Sequence, residues 1–158
     1  MTKADQTYLD TLLRYYEEEI EGEAYFAAIA ERLEDPEQKR KMQMLADVET
    51  YAAAAVQPLL EKYALTPMSQ EALHRTGRQQ AANSPGDFAH FMAQWRESFP
   101  GYIDDFARLE AMAPPEDLPP LKVLTNHEVA AIDFLEREAK GAPDSTQPME
   151  HYLATGTA

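Results

Sequence analysis

Glutamates of three helical segments stand where a helical protein ordinarily places apolar side chains. In "MLADVETYAAAAVQPLL", Met44 to Leu60, Glu49 lies among Leu45, Ala46, Ala52, Ala53, Val56, Leu59 and Leu60 at helical spacing. Glu19 falls in a stripe with Tyr16, Ile20, Ala27 and Ala30, and Glu23 is nearly central in it. Glu128 follows Leu124 by one turn and precedes Ile132 by one turn. A buried ionised carboxylate is costly without a partner, and several that converge without a cation repel one another. Oxygen donors brought together inside a helical bundle suit hard or borderline cations such as iron, manganese or magnesium. Metal binding is therefore one expected chemistry; the other expectation is that each carboxylate is partly exposed at a helix edge, protonated, or hydrogen-bonded to Tyr8, Tyr16, Tyr51 or an arginine.

Glu19, Glu49 and Glu128 are the candidate ligands, with Glu23, Glu110 or His127 assisting. Glu110 is the choice from the third helical unit, because Ile103, Phe106 and Glu110 fall on one side, whereas Glu97 lies less favourably. His127 adjoins Glu128, but successive helical residues point about 100° apart. It is expected to reach a metal only from the flank, or to pack against a neighbouring helix or bond to a carboxylate. His74, His90 and His151 are expected at the surface. Glu17, Glu18, Glu21, Glu61, Glu116 and Asp117 lie off the apolar stripes and read as solvated.

The elements that must position these residues are all helical. No alternating β-branched run and no Asn-Gly or Asp-Gly hairpin occurs. A first helix is expected from about Asp5 to Glu34, ended by "LEDPEQ", and a second from about Pro36 to Tyr63 with a kink or break near Val56 caused by Pro58. Ser69 to Gln80 reads as a short polar helix or an excursion across the bundle. A third helix opens near Pro85 and is broken at Pro100-Gly101. The last runs from about Leu118 to Lys140. The ordered helical part is expected over 5–141, with a tail, 142–158, that packs once through Met149, Tyr152 and Leu153 and then frays. Phe88, Phe91, Met92, Trp95 and Phe99 read as core. The expected architecture is all-α, an up-down four-helix bundle forming one domain over 1–158.

Within that pattern, "EIEGEAYFAAIAERL", "LADVETYA" and "LTNHEVAAIDFLEREAKG" resemble segments of the ferritin-like superfamily, in the rubrerythrin-like manner. The resemblance spans the helical chain in helix order. It implies a carboxylate-rich metal centre built from a glutamate and a Glu-x-x-His turn in each half. Here the positions three beyond Glu49 and Glu128 are Ala52 and Ala131, so both implied histidines are alanine. A site without them implies weaker binding or a different metal.

Bulk composition narrows the rest. The chain has 158 residues, a formal net charge of −14 and no cysteine. Absence of cysteine removes disulfides, thiolate metal sites and cysteine nucleophiles. The acidic balance disfavours nucleic acid and anionic membrane surfaces as partners. No apolar run has the length of a membrane span and "MTKADQTYLD" lacks the apolar core of a signal peptide, so the cytoplasm is expected. Two functions are left open. One is a bundle, dimeric by expectation, with a degenerate or cryptic metal site, or with none. The other is a carboxylate-bridged di-metal oxidoreductase using iron or manganese.

Overall fold

The structure, a computed structural model, describes residues 4–158; the first three residues of the stretch read for a leader lie outside the described residues. Seven α-helices pack together, and no strand occurs among the described residues. They are α1 (Gln6–Arg32), α2 (Pro36–Lys62), α3 (Gln70–Ala82), α4 (Phe88–Ser98), α5 (Pro100–Met112), α6 (Leu118–Ala139) and α7 (Gln147–Thr155). A single 3-10 turn, Pro115–Asp117, precedes α6. Starts are set locally. Asp5, Asp35, Ser69 and Asp87 each accept a hydrogen bond from a backbone N–H of the turn they cap. Pro36 and Pro100 open their helices, where a missing N–H costs nothing.

Chain directions follow from the contacts. α1 and α2 are antiparallel: Lys39 Nζ donates to the Ala30 carbonyl at one end, and the rings of Tyr8 and Tyr63 meet at the other. α3 then runs back beside α1 in the same direction. The Met68 N–H donates to Glu17 Oε2 near its start, and Arg32 donates to the carbonyls of Ala81 and Ser84 near its end. α4 and α5 descend along α1, with Trp95 against Phe26 and Phe106 against Tyr15. α6 rises between α2 and the α4–α5 pair, held by Lys41 to Glu138 on one side and Arg96 to Glu136 on the other.

The apolar core along this stack falls into separate clusters. Phe26, Met42, Phe91, Trp95 and Phe134 fill one end, and Tyr8, Leu12, Val56, Leu109 and Leu121 fill the other. Phe88, Phe91, Met92 and Trp95 are buried as the sequence suggests.

Several expectations are corrected. Pro58 does not interrupt α2, which is continuous from Pro36 to Lys62. Pro58 and Ala54 are both exposed, so the Ala54 carbonyl that loses its partner is available to water. The tail packs through Met149 and Tyr152 as expected, but it stays helical to Thr155 and is held at Gly156 rather than fraying beyond them. α7 buries Met149 and Tyr152 completely, Tyr152 Oη donates to the Val123 carbonyl at 2.9 Å, and Asn126 donates to the Gly156 carbonyl.

Three acidic residues read as solvated are buried. α3 covers Glu17 and Glu21, a second face of α1 that a single apolar stripe does not reveal. Asp117 is fully buried because it accepts from Tyr8 Oη at 2.8 Å, Tyr63 Oη at 2.5 Å and Lys62 Nζ at 2.6 Å. No described helix is long and apolar enough to cross a membrane.

Candidate metal centre

Where α1, α2 and α6 lie side by side, Glu19, Glu49 and His127 converge. One ligand atom from each lies within 4.8 Å of the others. His127 Nε2 is 3.0 Å from Glu19 Oε2, 3.4 Å from Glu49 Oε2 and 3.7 Å from Glu128 Oε2. Glu19, His127 and Glu128 are buried, and Glu49 is half-buried. The Phe106 ring of α5 meets the imidazole edge to face, with centroids 5.4 Å apart.

The orientation of the imidazole decides what the cluster needs. His127 Nδ1 contacts the backbone carbonyl of Leu124, one turn back on α6. A carbonyl oxygen only accepts, so Nδ1 carries hydrogen. Nε2 of the neutral ring is then a lone pair, and it faces the oxygens of two carboxylates. Three electron-rich atoms so close, away from water, require a cation between them, either a proton or a metal ion. A histidine whose second nitrogen donates to a backbone carbonyl is also the usual arrangement of a metal-bound imidazole. Donor atoms bound at about 2.0–2.2 Å at right or tetrahedral angles lie about 2.8–3.6 Å apart. The separations from Nε2 to Glu19 and Glu49 are both within that span.

Electrostatics agree with the geometry. Burial alone would disfavour the imidazolium of His127, but the Glu49 and Glu128 carboxylates outweigh it and push the pKa up to about 9. Burial also pushes Glu128 up to about 8, aided by the Glu49 charge and opposed by His127. Glu19 Oε2 and Glu128 Oε1 are buried without a hydrogen-bond partner.

The other expected ligands are elsewhere. Glu23 is half-buried on the α3 side of α1, 3.9 Å from His74 Nε2, because α3 occupies that face. Glu110 accepts from Lys122 Nζ at 2.6 Å and Thr125 Oγ1 at 2.7 Å. Burial would raise its pKa, but those two partners hold it below the usual carboxylate range. No ligand comes from α5, whose contribution is the Phe106 ring. His127, expected on the flank, is central. His90 and His151 are exposed, whereas His74 is half-buried rather than at the surface.

A cleft of about 490 Å³ opens onto the cluster between α1, α3, α4 and α5, and Glu19, Glu49, His127 and Glu128 form part of its lining. The cluster is thus reachable from outside. Neither a known protein family nor a curated protein sequence nor a solved structure matches this chain.

Proposed function

We propose that this chain is a metal-binding protein of ferritin-like architecture whose single cation is held by Glu19, Glu49 and His127, with Glu128 at the edge. The observation that carries this reading is the convergence of His127 Nε2 with carboxylate oxygens of Glu19 and Glu49, from two other helices, within 4.8 Å of one another. Mixed oxygen and imidazole donors favour iron(II), manganese(II) or zinc(II) over calcium or copper(I). The ferritin-like reading is supported by chain order: α3 returns the chain alongside α1 before α4–α5 descend, and bundles of that superfamily carry one long crossover. A two-metal oxidoreductase is less well supported. Ala52 and Ala131 stand at the positions where the resemblance would put two imidazoles, and both are buried.

Metal analysis of protein purified without chelator tests this, followed by loading with iron(II), manganese(II) and zinc(II) and thermal melting. The expected result is about one ion per chain and a melting temperature that rises with metal, since a ligand of the native state must stabilise it. Glu49→Gln and His127→Ala should each remove the rise. Oxygen consumption by the iron(II)-loaded chain would add an oxidase activity. The same contacts favour a second reading, in which the cation is the proton of a His127 imidazolium. Absence of bound metal, with no melting shift for any of the three ions, would establish that reading and overturn the first.

A further inference from the structure

The cleft above the cluster has a chemistry of its own. One wall is aromatic and continuous: Tyr25, Phe26, Trp95, Phe99, Tyr102 and Phe106 all line it. Trp95 stacks on Phe99 with centroids 5.7 Å apart, Phe26 meets Trp95 edge to face at 5.1 Å, and Phe99 meets Tyr102 at 6.2 Å. Phe106 carries the wall down to the imidazole.

The remaining lining joins the neutral side chains of Gln80, Ser84, Gln94 and Ser98 to an acidic set. Glu18, Glu19, Glu21, Glu49 and Glu128 face Arg14 and His127. Arg14 is already engaged, with Glu18 at 3.1 Å and Glu21 at 3.3 Å. Even without Glu128, whose pKa is pushed up to about 8, four carboxylates against one guanidinium stay in excess after a divalent ion is added. The negative field reaches the mouth: Tyr102, exposed on α5, has its hydroxyl pKa raised by burial and by the charges of Glu128 and Glu18.

Acidic residues alone would be unremarkable on this chain. The second observation is Glu128, a side chain 6% exposed that lines the cleft and whose buried Oε1 has no hydrogen-bond partner. It is an acceptor without a donor at the foot of an aromatic wall.

We propose that the cleft binds a small organic cation, an alkylammonium with an aromatic body, its N–H groups donating to Glu128 Oε1 and its ring lying along Trp95 and Phe99. Trp95 is stacked between Phe91 at 5.1 Å and Phe99 at 5.7 Å, so it offers its edge to the cleft, and an aromatic ring meets such an edge favourably. A carboxylate-bearing ligand of the same shape meets repulsion and finds no free guanidinium. The proposal goes beyond the metal reading and shares the cleft and the Glu128 side chain with it: Glu19, Glu49 and His127 serve the metal with Glu128 Oε2 at its edge, whereas Glu128 Oε1 serves the ammonium.

Trp95 is the chain's sole tryptophan, which makes its emission a reporter of the cleft. The test titrates phenethylammonium, 2-phenylethanol and phenylacetate in mildly alkaline buffer, where the alkylammonium keeps its charge. Trp95 fluorescence and thermal melting are the readouts, on chelator-treated and on metal-loaded protein, with bound metal counted separately. Phenethylammonium is expected to bind about tenfold or more tighter than the alcohol, the scale of one charge-assisted hydrogen bond. Phenylacetate is expected to bind weakest. Glu128→Gln should bring the cation and the alcohol near parity. Equal or tighter binding of phenylacetate overturns the proposal, as does silence of both readouts for all three probes. If Glu128→Gln lowers the helical circular dichroism, the three-probe series on the unaltered chain decides alone. A cation preference without bound metal removes the metal reading and leaves this one; bound metal without a cation preference does the reverse.

Discussion

Gly22 of α1 faces the carboxylate of Glu49 on α2. A methyl group built on Gly22 would stand 3.2 Å from Glu49 Cδ and 3.4 Å from each of its oxygens. Glycine within a helix costs about 1 kcal/mol relative to alanine. Here the missing side chain leaves room for a carboxylate between two helices.

Gly22→Ala therefore has two separable effects. Helix propensity rises, while the end of the flexible Glu49 side chain must give way by a few tenths of an ångström. The expected outcome is unchanged or higher stability of the metal-free chain with metal affinity lowered about tenfold, as for other residues that orient ligands. Denaturant melts and a competitive metal titration read the two effects independently.

Gly77 of α3 is a tighter case. A Cβ there would lie 2.1 Å from the Glu21 carbonyl oxygen and 2.9 Å from the Ala24 Cβ. Backbone cannot yield as a side chain does, so Gly77→Ala should push α3 off α1 and cost about 1–3 kcal/mol, the range for overpacking. Urea unfolding measures it. Gly101→Ala, where nothing lies within 4 Å, is the control and should cost nothing.

Asp117 gives a pH dependence. Burial alone would raise its pKa, but Lys62, Tyr63 and Tyr8 outweigh it and hold the carboxyl below its ordinary value. A depressed folded-state pKa contributes stability that is fully present above the unfolded value of about 3.9 and is lost as pH falls through the folded one. Unfolding free energy should fall below about pH 4. Asp117→Asn should be less stable at neutral pH and should flatten that acid limb. Parallel denaturant melts across acid pH compare the two chains.

Ending the chain after Gly141 tests α7. Met149 and Tyr152 are fully buried, and each large apolar side chain contributes about 1.5–3 kcal/mol by burial. The truncated chain should melt at a markedly lower temperature. Tyr152→Phe, which loses only the bond to the Val123 carbonyl, should cost about 1 kcal/mol.

Helix order and most boundaries were readable from periodicity, prolines and caps, because those signals are local. The inward positions of Glu19, Glu49 and Glu128 were readable for the same reason. What the pattern hid is the width of the buried faces. α6 packs against α2, α5, α4 and α7 at once. Its buried surface therefore includes the row His127, Ala130 and Phe134 beside the row Leu124, Glu128, Ala131 and Leu135. A one-seam reading put His127 on the flank, although its spacing to Ala130 and Phe134 already marked a second row. α1 is wide for a similar reason, since α3 covers what looked like its solvent side and takes Glu23 away from the cluster. Glu110 sits where the period places it, but no one-dimensional pattern announces that Lys122 and Thr125 will meet it.

The Asp117 contacts also have a mechanical meaning. They gather the start of α1, the end of α2 and the entry to α6 at one pivot, through Tyr8, Lys62 and Tyr63. From that pivot, Glu19 is eleven residues along α1, Glu49 thirteen back along α2, and His127 ten along α6. At about 1.5 Å per residue these are three levers of about 15–20 Å. A tilt of about 5° at the pivot swings a lever tip by about 1.3–1.7 Å, while metal–ligand distances tolerate only about 0.2 Å. A disturbance at Asp117 is thus magnified at the far tips, and the aim of Glu19, Glu49 and His127 at one another is set at the pivot as much as by their own neighbours.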